Sequence, residues 1–528
     1  MGISRREFLV GATAATAAVA VGCSGGDDDS GGAGDSARRS GPGVTTTKHP
    51  ARLSGDPFQL GIASGDPLPD RVILWTRLSP APLTGGLAGM PDDQVDVVWQ
   101  VGTDERFTKV VTQGVATADP ARAHTVHVDA TGLDPASDYH YRFRVGEWTS
   151  PVGRTRTAAA PGDQLKALTL GVVTCQYFGT GHYGAYHHLL DEDVDLIVHL
   201  GDYIYETPIG ASDRPVLPNG VPVTLDDYRL RYASYRADPD LRAAHARYPF
   251  MLMWDDHEVT NNYSGDHFPD GSVGPDKVRA QRAAAYRAYW EHLPLRLPAP
   301  DGPDMTLYRD ATFGDLARLY LLDERQYADE PPCRDTVGGD FGDCPERTDE
   351  GRKYLGDEQD AWFAEASTKG GVTWNLVGNP TAIAGINSGT AAKPQWVLDG
   401  WNGYPAFRQR FLSRLESDEV ANPVMLTGDW HTGMVADVHR DPDDLDTPVV
   451  AVELMTPAVS SLIDGIDKAI NPQIHHTVER HGYLTVRVEP ERLTATFKVL
   501  DDVGQADSGI RTDSTWQIDA GGSQVTRV

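Results

Sequence analysis

Positive charge is scarce in this 528-residue sequence: Lys+Arg number 47 against 76 Asp+Glu, and 47 − 76 gives a formal charge of −29. That balance excludes the electrostatics of a nucleic-acid coat or a polybasic membrane binder. An acidic chain that binds an anion needs something cationic in its site, which points to metal. Cysteine is scarcer still, with four residues at 23, 175, 333 and 344, too few for a disulfide scaffold. Long apolar runs are also wanting. The run Leu9 to Gly22 stops at fourteen residues, too short to span a bilayer as a stable helix. No internal repeat is evident. What is present is a 40% hydrophobic fraction with 11 Trp and 20 Tyr, enough to build a core and to argue against overall disorder. The length calls for two or more domains.

The N-terminus reads as an address. Ser4-Arg5-Arg6-Glu7-Phe8-Leu9 has the pattern of a twin-arginine signal, which a receptor reads. Ala20-Val21-Gly22-Cys23 resembles a lipoprotein cleavage box with Cys23 as the acylated residue, although Ala20 stands where Leu is usual. The expectation is a signal peptide over 1–22 and a flexible Gly/Ser/Asp-rich tether over 23–52. The body is then exported to the cell envelope or extracellular space, with any membrane contact made through a lipid anchor at Cys23.

Two modules follow. Residues 53–157 carry short alternating strands and turns, as in Val95-Val97-Trp99-Val101. A Leu133-Asp134-Pro135 turn feeds a strand with Tyr139 and Tyr141 at alternate positions, which looks like a fibronectin/Ig-like sandwich and its tyrosine corner. From 165 to 528 continuous apolar runs alternate with helical stretches such as Lys277–Leu293 and Ala406–Leu415. Strands buried on both faces and flanked by helices give an α/β fold with two mixed sheets. The late strands Val449–Leu454, Tyr483–Val488 and Leu493–Val499 suggest the second sheet.

Polar residues recur directly after the apolar strands: Cys175, Asp202, the run Asp255-Asp256-His257, Asp323, Asn379, and Asp429 with His431. In open α/β sheets the carboxyl ends of strands converge on the ligand crevice. One Asp after a strand is ordinary turn chemistry; six strands each delivering a polar residue are harder to dismiss. Carboxylates and amides suit hard divalent cations, while imidazole, phenolate and thiolate suit a transition metal, ferric iron favouring phenolate. Asp202 can bridge two ions with its two oxygens, and Tyr205 can return to the same site from three residues on. Asp429 and His431 point the same way if the chain there is extended. Taken alone, Cys175 would be a core thiol and Tyr205 packing. Asp255 and Asp256 are equally plausible.

The ordered set Cys175, Gly201-Asp202-Tyr203-Ile204-Tyr205, Trp254-Asp255-Asp256-His257-Glu258, Asn262, Asp323-Glu324-Arg325-Gln326-Tyr327, Gly378-Asn379 and Gly428-Asp429-Trp430-His431 resembles the PhoD-type alkaline phosphatases of the calcineurin-like metallophosphoesterase superfamily. The resemblance runs from about Phe58 through Glu453-Leu454-Met455-Thr456-Pro457. It implies a phosphate-ester hydrolase using Fe(3+) with Ca(2+). By that analogy Cys175 and Tyr205 hold iron, Asp202 bridges, Asp429 and His431 complete the cluster, and Asp256 or Asn262 serves calcium. Relatives with Gly-Asn-His-Glu use that Asn as a ligand; Asp256 stands in its place here, so the choice among Asp256, Asn261 and Asn262 stays open.

His257 is a candidate to protonate the leaving alkoxide or contact the phosphoryl group. Arg325 is either a phosphate clamp or an ion-pair partner of Asp323. Cys333 and Cys344, with ten residues between them, read as a local disulfide in an exported protein. The expected substrate is a small-molecule or polymeric phosphate ester, acted on by a monomer with no stable nucleic-acid partner. The rival enzyme is a phosphodiesterase acting on nucleic acid, a teichoic-acid-like polymer or phospholipid; the rival of another class is a surface-anchored binding protein with an inactive site.

Overall fold

The computed structural model describes residues 46–48, 53–208, 214–269, 271, 273–333, 341–417 and 419–528. The signal segment, Cys23 and nearly all of the tether lie outside the described residues.

The N-terminal strands are β1 (Ile62–Leu68), β2 (Arg71–Arg77), β3 (Val95–Gly102), β4 (Val110–Ala118), β5 (Thr125–Thr131), β6 (Asp138–Val145), β7 (Trp148–Thr149) and β8 (Gly153–Arg156). Along β6 burial alternates, with Tyr139, Tyr141, Phe143 and Val145 turned inward, as a strand with one buried face requires. Tyr139 Oη accepts the Asp134 N–H at 2.8 Å and pins the turn that precedes the strand.

Three strands follow with every residue or nearly every residue buried: β9 (Leu168–Val173), β10 (Leu196–Leu200) and β11 (Pro249–Met253). They pair in parallel in the order β9-β10-β11, and their predominantly apolar sequences, interrupted only by Thr169 and His199, reflect burial on both faces. The second half supplies β12 (Arg309–Phe313), β13 (Ala317–Leu321), β14 (Phe341–Gly342), β15 (Trp374–Gly378), β16 (Trp396–Val397), β17 (Pro423–Thr427), β18 (Gly433–His439), β19 (Val449–Met455) and β20 (Ile474–Val478). The chain closes with β21 (Gly482–Val488), β22 (Arg492–Leu500), β23 (Ile510–Asp519) and β24 (Val525–Arg527).

Two large mixed sheets result. One has ten strands in the order β24-β23-β22-β21-β9-β10-β11-β1-β2-β5, the other seven in the order β12-β13-β15-β17-β19-β18-β20. A single apolar cluster joins them, with Val172, Val198 and Leu252 of the first sheet and Leu319, Leu376 and Leu426 of the second. The helices Gly356–Ser367 and Pro405–Ser417 cover the outer face of the second sheet, where Phe363 and Phe411 pack with Tyr320, Val377 and Met425. Helix Pro275–His292 packs through Tyr286 and Tyr289 into the shared core.

Two features differ from the sequence expectation. The late strands divide: β19 joins the second sheet, whereas β21 to β24 return to the first, because β21 pairs antiparallel with β9. The N-terminal module also does not stand apart. β1 pairs in parallel with β11, so β1, β2 and β5 extend the ten-stranded sheet. Their other face meets the separate sheet β4-β3-β6-β7, with Leu74 and Val128 packed among Val97, Tyr141 and Phe143. Trp75 looks into the larger body and donates from Nε1 to the Glu291 carbonyl at 3.2 Å. No helix among the described residues is long and apolar enough to cross a membrane.

Candidate metal centre

The polar residues at the ends of β9, β10, β11 and β17 meet in one place. Donor atoms of Cys175, Asp202 and His431 lie within 4.8 Å of one another, as do those of Asp202, Asp256 and His257. Asp202 belongs to both groups. Tyr205 Oη donates to Asp202 Oδ2 at 2.7 Å and sits 3.1 Å from His431 Nε2. Asp429 is buried and close enough for its charge to act on Cys175, Asp202 and Asp255.

The backbone is bent sharply wherever these side chains emerge. Cys175 (φ 54°), Asp202 (φ 57°), Asn262 (φ 53°), Asp429 (φ 59°) and His431 (φ 60°) all adopt the left-handed region. For residues with a Cβ this costs about 1 kcal/mol or more each, so the surrounding packing must impose it. The segment 428–432 is therefore a tight bend and not the extended run expected, with Trp430 N–H on the Gly428 carbonyl at 2.6 Å. Two glycines allow the close approach. A Cβ at Gly201 would lie 2.5 Å from Asp255 Cβ, and one at Gly428 would lie 2.6 Å from Thr174 Oγ1, so the loops holding Asp202 and Asp429 can press against their neighbours only without side chains.

Charge in this site is crowded and buried. Burial pushes Asp202 up to about 7, opposed by His257 and reinforced by Asp256. Burial, then Asp202, holds both the Cys175 thiol and the Tyr205 phenol well above their ordinary values. At His257 burial works downward, but the carboxylates of Asp256, Glu206 and Asp202 outweigh it and hold the imidazolium well above its usual range. Asp202 Oδ1 and Asn262 Oδ1 are buried with no hydrogen-bond partner among the described residues. Buried oxygens without donors, together with sulfur, phenol and imidazole donors amid like charges, fit divalent or trivalent cations, whose charge reverses the direction of these shifts.

Of the three residues left open, Asp256 enters a donor group, and its Oδ2 also accepts the Asn262 N–H at 2.5 Å. Asn261 gives its backbone N–H to Glu206 Oε1 at 2.8 Å. Arg325 is buried and does not pair with Asp323. Its Nε meets Asp255 Oδ1 at 2.5 Å and its Nη1 meets Asp399 Oδ2 at 2.9 Å, while Asp323 Oδ1 takes the N–H groups of Arg325 and Gln326. Asp323 lies outside both donor groups, and Asn379 Nδ2 donates to the Thr381 carbonyl at 2.7 Å. The sulfurs of Cys333 and Cys344 are bonded, with Cα atoms 6.0 Å apart.

Sequence profiles of known families match nearly all of this body. A profile described as PhoD-like phosphatase covers residues 170–497, and one described as PhoD-like phosphatase, N-terminal domain, covers 44–159. Alkaline phosphatase D of Bacillus subtilis (strain 168) is 40% identical over 480 residues, 88% of this chain and 81% of that protein.

The chain belongs to the PhoD-like phosphatase family.

A solved structure of PhoD superposes with a TM-score of 0.86 at 38% identity, covering 90% of this chain and 93% of that one. Purple acid phosphatase PPD1 from yellow lupin (Lupinus luteus) seeds, 12% identical, shares the fold at a TM-score of 0.54 over 87% of this chain and 73% of that one. Family membership supports the phosphate-ester hydrolase expected from the motifs.

Three supporting residues carried no role in the sequence reading of this PhoD-like chain. Glu206 accepts from or donates to His257 Nδ1 across 2.6 Å, depending on which holds the proton, and orients that ring against Tyr205 with centroids 4.1 Å apart. Glu258 accepts the N–H groups of Asp202, Tyr203 and Asp255 at 3.2, 2.7 and 3.0 Å, tying the ends of β10 and β11 together. Ser461 Oγ lies 2.8 Å from Tyr205 Oη and 2.8 Å from the Cys175 carbonyl. Glu206 and Glu258 each directly follow a candidate ligand or catalytic residue, a signal that adjacency could have supplied. Ser461 offered none.

Proposed function

We propose that the chain is an exported, metal-dependent alkaline phosphatase that uses Fe(3+) with Ca(2+). The observation that carries this is the place of Asp202 in both donor groups, which suits a carboxylate shared by two cations. Cys175, Tyr205 and His431 supply the softer donors on one side of Asp202 and would hold iron; Asp256 and Asn262 supply hard oxygens on the other and would hold calcium, with Asp429 completing the cluster. When bound, the cations supply charge against the phosphoryl oxygens and lower the pKa of a coordinated water.

The chain's own part is positioning and proton handling. Glu206 holds His257 through Nδ1 and orients its ring, and His257 would serve the leaving oxygen as general acid. Arg325, fixed by Asp255 and Asp399, keeps Nη2 3.9 Å from Asp256 Oδ2 and braces that ligand, with the phosphoryl group as a further partner. The double-Arg leader supports export by the twin-arginine route, and Cys23 a lipid anchor holding a monomer at the envelope. The Asp134–Tyr139 bond supports a fibronectin/Ig-like N-terminal sandwich. All candidate ligand positions carry donor side chains, which disfavours the inactive binding-protein reading.

Hydrolysis of an aryl phosphate by the purified chain, with and without a chelator, tests the proposal. Loss of turnover on chelation, recovery on adding back iron and calcium, and a visible tyrosinate band support it. Undiminished turnover in a protein stripped of both metals overturns it.

A further inference from the structure

We propose that a cavity beside the metal centre receives the leaving alcohol of the substrate and selects alcohols bearing an ammonium group over those bearing an anion. This rests on the phosphate-ester reading above. The cavity measures about 250 Å³ and lies between the bend that carries Asp429 and His431 and the segment 464–470. Trp430, placed between those two candidate ligands in the chain, forms part of its wall. Asp464 lines it too, and Asp464 Oδ2 is 3.6 Å from His431 Nδ1. One carboxylate thus touches both the cavity and the centre. An ester whose phosphoryl group sits at the centre must put its alcohol half beside it, and this space shares residues with the centre.

The lining decides which alcohol fits. Asp464 and Asp467 contribute two carboxylates, and no Lys, Arg or His is among the described lining residues. Among the described lining residues, an alcohol carrying a second phosphate or a carboxylate meets only like charge. An ammonium meets two carboxylates and the rings of Trp430 and Phe341, the combination that recognises alkylated ammonium groups. Ile386 and Ile470 supply apolar surface for its carbon atoms. Asp467 is held in place because its Oδ1 accepts the Ala469 N–H at 2.9 Å, capping a short helical turn. Hydrolysis breaks the bond from phosphorus to the alcohol oxygen, joins the oxygen of water to phosphorus, and returns a proton to the alcohol. The cavity therefore holds the alcohol both before and after cleavage.

The test uses the metal-loaded full chain and two readouts. Calorimetric titration with choline, which carries no phosphate, is expected to show saturable binding, and the anionic analogue 2-hydroxyethanesulfonate none. D467N removes the charge while leaving a residue that still caps, and F341L removes a ring while keeping apolar bulk. Each is expected to weaken choline binding on the order of five-fold. Relative kcat/KM for choline phosphate over 3-phosphoglycerate is expected to fall in parallel. Hydrolysis of both esters with no choline binding, or with a preference unchanged in both variants, overturns the proposal. Choline binding that the variants weaken, with no ester cleaved at all, would strike the hydrolase reading and leave the ammonium site standing.

Discussion

The phenol of Tyr205 donates to Asp202 Oδ2 across 2.7 Å, although both sit in one short loop after β10. The left-handed turn at Asp202 makes this possible by folding the loop back on itself. Ser461, which comes from beyond β19, approaches the same phenol at 2.8 Å and so ties the second half of the chain to that loop. S461A is expected to lower metal affinity about 10- to 100-fold, as loss of an outer partner of a ligand does, with little change in far-UV circular dichroism. Equilibrium dialysis against iron checks this, and unchanged affinity counts against Tyr205 as a ligand. Y205F is expected to abolish the visible band entirely.

Arg325 is surrounded by carboxylates, with Asp255 at 2.5 Å and Asp399 at 2.9 Å, and all three side chains are buried. Removing the guanidinium leaves two uncompensated buried acids, a loss of about 3–5 kcal/mol. R325M should therefore show a clearly lowered denaturation midpoint. A variant of full stability whose KM alone rises would make Arg325 a phosphate clamp with no bracing role.

Trp75 ties the N-terminal strands to the larger body. It is fully buried, packs with Leu60, Ala63 and Ala233, and has Arg236 4.6 Å from its ring. W75A is expected to cost about 3–5 kcal/mol. Because β1 and β11 share a sheet, the loss should appear as one cooperative transition of the whole body. Two separate transitions, with only the first displaced, would show that the module folds on its own.

Glu324 gives a pH dependence away from the metal centre. Its carboxylate takes the Thr381 N–H and hydroxyl, Trp401 Nε1 and the Tyr354 hydroxyl, yet burial pushes it from 4.5 up to about 7. Between those values the folded protein keeps a proton that the unfolded chain has released, so stability falls as pH rises. At about 1.4 kcal/mol per unit the window is worth about 3 kcal/mol. The stability difference between wild type and E324Q, measured by chemical denaturation, should move by that amount in favour of the variant between pH 4.5 and 7. A difference that stays constant over this range contradicts the assignment.

The sequence made the strands of the catalytic core legible because β10, β11 and β15 are predominantly apolar, interrupted only by His199 and Asn375, as burial on both faces demands. The ligand candidates were legible for a related reason: they follow those runs directly, and parallel strands deliver their C-terminal ends to one edge. What escaped is what depends on distant pairing. Nothing local in Ser64 and Gly65 says that they lie beside Pro249 and Phe250, and nothing in β21 says that it returns to β9. The bend at Asp429 to His431 escaped because its surroundings are distant in sequence, with Gly428 packed closely against Thr174. For Arg325 the sequence offers a phosphate clamp or a pair with its neighbour Asp323, whereas its carboxylate partners come from 70 and 74 residues away.

The central claim is that Asp202 is shared between two metal sites, and D202A tests it most directly. Metal content and aryl phosphate hydrolysis are measured on wild type and variant side by side, with circular dichroism confirming the fold. The account predicts that D202A folds, loses bound metal, and has no measurable turnover. A folded D202A that retains both its full metal content and its turnover would contradict it.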